Sequence, residues 1–253
     1  TDCDDTQTTV SPAATEVCNN IDDNCDGTRD ESDASDALIW YLDDDGDGFG
    51  NPDYDTPSCS QPIPYVSDNT DCDDLSATAY PGAAYKESDV YCMDDADADG
   101  FGDATPATGV TAGADCDDLS ATAYPGAAYQ ESDVYCMDDA DADGFGDDTP
   151  ATGVTAGADC NDSDPAVSPN ATEGIADAVD QDCDGAELCY ADADEDGFTD
   201  GSSTVVSTDT DCSDAGEGTA SDPTGECDDT NANTYPGAAA SDSTTDCMTD
   251  ADG

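Results

Sequence analysis

With 253 residues, 65 acidic side chains and only two basic ones, Arg29 and Lys86, the chain has a formal charge of −63, which excludes nucleic acid as a direct partner because its phosphates would be repelled. Leu, Ile, Val and Phe together number 24, too few for a large apolar core, and no apolar run is long enough for a membrane-inserted helix. Such a composition is that of a disordered chain, unless something other than a core orders it.

The ordering element is a recurring phrase, Asp-x-Asp-x-Asp-Gly. In chain order, residues 1–70 read as a divergent repeat unit with two such loops. A Cys-Asp-Asp corner at Cys3-Asp4-Asp5 opens it. The first loop offers Asp22, Asn24 and Asp26. A β-like run, Leu38-Ile39-Trp40-Tyr41-Leu42, then leads into the second, Asp43, Asp45 and Asp47. Residues 71–114 and 115–158 are 44-residue repeats that differ only at Lys86/Gln130 and Ala104/Asp148, so they form a linear array by recent duplication. Each has a corner (Cys72-Asp73-Asp74, Cys116-Asp117-Asp118) and a Tyr-Pro-Gly-Ala turn at Tyr80 or Tyr124. Pro then Gly is the type II signature, since Gly accepts positive φ. A short β-like run such as Asp89–Met93 follows, then a loop: Asp95, Asp97 and Asp99, or Asp139, Asp141 and Asp143. Residues 159–226 form a second divergent unit with a variant corner, Cys160-Asn161-Asp162, and two loops, Asp180, Asp182, Asp184 and Asp192, Asp194, Asp196. Residues 227–253 are a truncated repeat with Cys227-Asp228-Asp229, Tyr235-Pro236-Gly237-Ala238 and an incomplete loop, Asp250-Ala251-Asp252-Gly253. Both ends fall inside a repeat, as expected of a window onto a longer repetitive protein or of a processed mature segment.

Oxygen ligands at alternate positions, followed by Gly for the sharp turn, are what a hard divalent cation needs, so multiple Ca2+ ions are the expected cofactor. Position seven supplies a backbone carbonyl, which leaves Phe49, Phe101, Phe145 and Phe198 free to pack. Asp103, Asp147 and Asp200, further along three of the loops, complete the local candidates. Pro52, Pro106 and Pro150 sit where an EF-hand would begin its second helix, and position twelve is Tyr54, Pro106 or Ser203 rather than a bidentate Glu. Each ion therefore needs carboxylates from elsewhere. The corners are the expected donors, with Asp71, Asp73, Asp115 and Asp117, and metal then cross-links neighbouring segments. A solvated acidic tract would not repeat its Gly and aromatic in register.

Fourteen cysteines without a single His, and without zinc-site spacing, predict a disulfide framework and an oxidising, extracellular compartment. Two sequential pairings are open. One joins Cys3–Cys18, Cys25–Cys59, Cys72–Cys92, Cys116–Cys136, Cys160–Cys183, Cys189–Cys212 and Cys227–Cys247. The other joins Cys18–Cys25, Cys59–Cys72, Cys92–Cys116 and their successors, leaving Cys3 and Cys247 unpaired. The duplicated units lack counterparts of Cys25 and Cys59, and joint loss is what a bonded pair would show. That favours the first pairing.

The segments CNNIDDNCDGTRDE (18–31), YLDDDGDGFGNP (41–52), SCSQPIPYVSDNTDCDD (58–74) and CDDTNANTYPGA (227–238) resemble MopE-type metal-binding repeats of secreted and surface bacterial proteins. The Asp loops are similar to those of thrombospondin type 3 repeats and dockerins. The resemblance covers nearly the whole chain. It implies a surface location and a calcium-rich, helix-poor structure. Copper, reported for the family's namesake, favours imidazole and soft sulfur, and this chain offers no His.

The expected fold is mostly irregular with short β-hairpins, a linear array of small calcium- and disulfide-stabilised repeats. The expected role is structural: an extracellular filament or stalk, continued by self-association or by further repeats. A calcium-dependent adhesin or protein-binding module, and a calcium sink or mineral-nucleating polyelectrolyte, would use the same residues. Carboxylate pairs of the glycosidase kind arise by chance among 65 acids, so no enzyme is expected.

Overall fold

The computed structural model describes residues 3, 4 and 6–251. Asp5 of the first corner, and Asp252 and Gly253 of the truncated seventh loop, lie outside the described residues. Among the described residues there is no helix, and the regular structure consists of short strands joined by turns.

The strand β1 (Leu38–Leu42) is the aromatic and β-branched run, the residue types that suit a pleated surface. It pairs antiparallel with β2 (Asn51–Ser58), with Trp40 opposite Thr56, and the register slips between Tyr41 and Leu42. The strand β3 (Tyr65–Val66) takes the other edge, giving the order β2-β1-β3. The Asp43 loop is the turn of the β1–β2 hairpin. In the first 44-residue copy, β4 (Ala79–Pro81) pairs antiparallel with β5 (Cys92–Asp94), Tyr80 facing Met93. The turn after Tyr80 is as expected: Ala83 donates its N–H to the Tyr80 carbonyl at 3.2 Å, with Gly82 at φ +90°. The expected strand over 89–93 starts only at Cys92, because the Ser88 Oγ accepts the N–H of both Val90 and Tyr91 and holds them in a turn. The second copy repeats these strands as β6 (Ala123–Pro125) and β7 (Cys136–Asp138).

Further on, β8 (Leu188–Ala191) lies between β9 (Thr204–Val206) and β10 (Glu217–Gly218), and the Asp192 loop is the turn of the β8–β9 hairpin. The last pair, β11 (Thr234–Pro236) and β12 (Cys247–Thr249), reuses the β4–β5 register, Tyr235 facing Met248. The chain divides into two compact units. The first holds Thr1–Pro125 with Val134–Cys136 and Ala151–Val154; the second holds Gly126–Asp133, Met137–Pro150 and Thr155–Gly253.

All fourteen cysteines are bonded. Five bridges match the favoured pairing: Cys72–Cys92, Cys116–Cys136, Cys160–Cys183, Cys189–Cys212 and Cys227–Cys247. The first two differ: Cys3 bonds Cys25, and Cys18 bonds Cys59. The reason is local. Cys25 and Cys183 both occupy position four of an Asp loop, with left-handed φ of 60° and 58°. The loop is drawn to its own corner by a backbone bond, Ser11 N–H to Asp23 at 2.9 Å and Ser168 N–H to Gln181 at 2.8 Å. The corner cysteine therefore bonds the cysteine at its own unit's next loop. Cys18–Cys59 is the additional bridge that the duplicated units lack.

The interior is small and unusual. Its apolar members are chiefly Ala79, Ala84, Ala123, Ala128, Met93 and Met137. Buried beside them are Asp71, Asp95, Asp99, Asp115, Asp139, Asp159 and Glu187. An isolated buried carboxylate is strongly unfavourable without a partner, so these positions mark where a counter-charge belongs.

Candidate metal centres

All six complete loops have one backbone shape. Position four is left-handed: Cys25, Gly46, Ala98, Ala142, Cys183 and Glu195, with φ between 58° and 86°. Position six is Gly with φ between 83° and 105°. At Gly100, φ is +96° and a Cβ would lie 2.8 Å from the Tyr85 ring, so no other residue fits.

This shape turns successive N–H groups onto the loop's own carboxylates. In the Asp95 loop, Gly100 donates to Asp95 Oδ2 (3.0 Å), Asp99 to Asp97 Oδ1 (3.0 Å) and Phe101 to Asp99 Oδ1 (2.7 Å). Asp139, Asp141 and Asp143 repeat the pattern at 3.0, 3.2 and 2.9 Å. So do Asp22, Asn24 and Asp26, and Asp180, Asp182 and Asp184. In the Asp192 loop, Asp192 accepts from both Asp196 and Gly197, and Asp196 from Phe198. In the Asp43 loop the first bond comes from Gly46, while Asp45 and Asp47 keep theirs. In the Asp95 and Asp139 loops each side chain is thus fixed by one oxygen and the other is left over, whereas Asp22, Asp180 and Asp192 accept N–H groups on both oxygens.

The leftover oxygens are buried. In the Asp95 loop, Asp95 Oδ1, Asp97 Oδ2 and Asp99 Oδ2 have no hydrogen-bond partner, and neither does Asp115 Oδ2 from the next repeat. The second copy has Asp139 Oδ1, Asp141 Oδ2, Asp143 Oδ2 and Asp159 Oδ2 in the same condition. Asp45, Asp47 and Asp71 form the corresponding set at the Asp43 loop, and Asp194, Asp196 and Glu226 at the Asp192 loop.

The fourth carboxylate arrives by one device in all four cases. The residue before the corner cysteine donates its backbone N–H to the carbonyl at loop position eight. These bonds are Asp71 to Gly50 (3.3 Å), Asp115 to Gly102 (2.9 Å), Asp159 to Gly146 (2.9 Å) and Glu226 to Thr199 (3.0 Å). One of its side-chain oxygens accepts N–H from its own corner, as Asp115 does from Asp117 at 2.9 Å, and the other stays unpaired. The last residue of the corner straps the loop from outside. Asp74, Asp118, Asp162 and Asp229 accept the N–H at loop position two, from Asp44, Ala96, Ala140 and Ala193.

The electrostatics follow. Burial, reinforced by Asp99 and Asp97, pushes the Asp115 carboxyl up to about 6. Burial and the neighbouring loop carboxylates raise Asp47 and Asp196 to about 6 as well. Asp118 and Asp162 rise to about 7, again chiefly through burial. Convergent, desolvated and unpaired oxygens are a site for a cation.

The sequence candidates are not all equivalent. Asp71 and Asp115 join their loops. Asp73 and Asp117 give backbone N–H groups to them and line the turn. Asp103, Asp147 and Asp200 cap the residues that follow, Thr105, Thr149 and Ser202, rather than joining the unpaired set. Asp159 and Glu226 escaped the sequence reading, although each precedes a corner cysteine as Asp71 and Asp115 do.

Position-seven aromatics tie three of the loops to the next repeat. Phe49 stacks on Tyr80, Phe101 on Tyr124 and Phe198 on Tyr235, at centroid separations of 5.0–5.2 Å. Lys86 lies over both Phe101 and Tyr124. Phe145 has Ser168 at the corresponding place.

The donors decide which ions fit. Every candidate ligand atom is oxygen. The Cys72–Cys92, Cys116–Cys136 and Cys160–Cys183 sulfurs lie beside Asp71, Asp115 and Asp159 but are bonded to one another, so they supply no thiolate. Such an oxygen-only set suits a hard cation better than copper, which favours imidazole and soft sulfur. Seven disulfides suit an oxidising compartment, and no helix of the described residues is long and apolar enough to cross a membrane.

No curated protein and no solved structure matches the chain. A family model does. The copper-binding MopE model, described as "putative metal-binding motif", matches residues 2–31, 71–103, 115–143, 159–187 and 227–241, together more than half of the chain. Four of these segments open just before a corner cysteine and run into an Asp loop, two of them the Asp95 and Asp139 loops with their buried unpaired carboxylates, and the chain belongs to the MopE-type family of metal-binding repeat proteins.

Proposed function

We propose that this is an extracellular, calcium-binding structural repeat protein that forms or belongs to a surface filament or stalk, with no catalytic role. The observation that carries the reading is the closure of a loop by a carboxylate from the following repeat, seen at Asp71, Asp115, Asp159 and Glu226. A cation held there joins two consecutive repeats. In a chain with so small an apolar interior, metal binding is then folding free energy. Asp95, Asp97, Asp99 and Asp115 would hold one ion, Asp139, Asp141, Asp143 and Asp159 another. Calcium is favoured over magnesium because four acidic side chains converge at each of the four closed loops, whereas magnesium keeps much of its water. A calcium sink is less well supported, because in the Asp95 and Asp139 loops every loop carboxylate is fixed by a backbone hydrogen bond rather than left mobile.

Electron microscopy with and without a calcium chelator tests the proposal. Ordered, elongated particles that loosen on chelation are expected. Unchanged compactness and protease resistance after chelation would show that the disulfides alone hold the fold. Calcium and copper titrations, read side by side, test the metal: saturable calcium binding is expected, and saturable copper binding with none of calcium would overturn the assignment.

A further inference from the structure

The Asp180 loop breaks the closure rule. Its position-eight residue is Glu187, where the four loops above have Gly50, Gly102, Gly146 or Thr199. The Glu187 carbonyl still accepts a backbone N–H, at 2.8 Å, but the donor is Ser207, which brings no carboxylate. Glu187 itself is 1% exposed, and neither of its carboxylate oxygens has a hydrogen-bond partner. It lines a cavity of about 90 Å³ together with Glu173, Asp182, Asp184, Ala186, Leu188 and Val206. Glu173 is held beside the loop by accepting the N–H of Gln181 and of Asp182. Burial raises its pKa, with Asp182 and Glu187 adding to the shift.

At the Asp43 loop the two arrangements exclude each other sterically. A Cβ on Gly50 would come within 2.7 Å of the Asp68 carbonyl oxygen and Tyr41 Cβ, so position eight there has no room for a side chain. Where the incoming segment offers Asp or Glu, position eight carries no acid; where it offers Ser207, position eight is a buried acid. The Cys189–Cys212 bridge and β8 pin Glu187 from the following side.

We propose that Glu187 replaces the missing fourth carboxylate, so that residues 173–187 form a self-contained divalent-cation site of Asp180, Asp182, Asp184, Glu187 and Glu173. This rests on the reading that the Asp loops bind calcium, and goes beyond it in making this one site independent of any later segment.

Native mass spectrometry of the full chain, with calcium alone as the probe, counts the ions held. Glu187→Gln should hold one ion fewer than the wild type at the same free calcium. Glu187→Gln combined with Ser207→Asp should regain it, because Ser207 occupies the place from which the other loops receive their acid. Glu226→Gln should lose a different ion, so its combination with Glu187→Gln loses two. A wild type that binds calcium together with an unchanged count in Glu187→Gln overturns the proposal while leaving the other loops untouched. A wild type that binds none overturns the calcium reading itself. Should Glu187→Gln scramble its disulfides, Asp184→Asn, on the exposed side of the same loop, should lose the same single ion, and an unchanged count there overturns the proposal equally.

Discussion

Replacing Asp115 with Asn should change stability with opposite sign in the presence and absence of metal. Asp115 is fully buried, its Oδ1 accepts the Asp117 N–H, and its Oδ2 has no partner among neighbours that include Asp97 and Asp99. In the metal-free chain at neutral pH, Asn keeps the first bond and replaces the unpaired, repelled oxygen by an amide that can donate towards the unpaired oxygens of Asp97 and Asp99. Relieving one buried unsatisfied charged group stabilises by about 1–3 kcal/mol. With calcium in excess, the same change removes one ligand from a set of four. Each tenfold loss of affinity lowers the metal's contribution to stability by about 1.4 kcal/mol. Urea unfolding at pH 7.5, in chelator and in calcium, reads both arms: the variant should be more stable than wild type in the first and less stable in the second. Destabilisation of similar size in both media would refute the reasoning, because it would mean that Asp115 is held by ordinary packing and hydrogen bonding rather than waiting for a cation.

Acidification gives a related signature. The carboxyls of Asp47, Asp115 and Asp196 lie near 6, and those of Asp118 and Asp162 near 7, above their ordinary 3.8, so the metal-free fold binds protons more tightly than the unfolded chain. Stability in chelator should therefore rise as pH falls through 7 and 6, with the gain complete below the ordinary value, while calcium affinity falls over the same window. Circular dichroism and isothermal titration check the two halves; a chelated fold that weakens between pH 8 and 6 contradicts the assignment. Gly100→Ala meets both a left-handed backbone and the Tyr85 ring, whereas Gly46→Ala meets only the former. The first should cost more than the second, which should stay near 1 kcal/mol, as thermal unfolding in calcium would show. Tyr124→Ser copies the Ser168 arrangement, removes the stack with Phe101, and should cost about 0.5–1.5 kcal/mol beyond lost area, with a weakened near-ultraviolet dichroism band. Non-reducing peptide mapping with an Asp-directed protease should release Cys3–Cys25 and Cys18–Cys59; a Cys3–Cys18 peptide would contradict the fold of the first loop.

The loops were legible because their chemistry is periodic: alternate oxygens and a Gly at position six admit one backbone shape, and Asp95 to Gly100 adopt it. The lack of helices was legible too, from Pro52, Pro106 and Pro150 and from the missing acid at position twelve. The closing ligands were half legible. Asp71 and Asp115 could be named from their place in the duplicated repeat, but Glu226 lies 34 residues beyond Asp192 (226 − 192), across a hairpin whose geometry only the folded chain reveals. Glu187 was invisible because it departs from the repeat. The first two disulfides were misjudged for a similar reason. Cys25 sits inside a loop rather than before one, and sequential counting cannot tell that its left-handed backbone turns it towards Cys3.

The bond from the residue before each corner cysteine to position eight of the preceding loop has a consequence for how such a chain changes length. Each copy carries the closing acid for its predecessor and the open loop for its successor, so any two copies meet through the same junction. Recombination that adds or removes whole 44-residue copies reproduces, at each junction between copies, the closure of the Asp95 loop by Asp115 and the stack of Phe101 on Tyr124. A gain or loss out of phase strands one loop with unpaired acids and one acid with no loop. Length can therefore vary freely among related strains in whole-copy steps, whereas point changes at Asp71 or Asp115 are not free, and the near identity of 71–114 and 115–158 is the record of one such step.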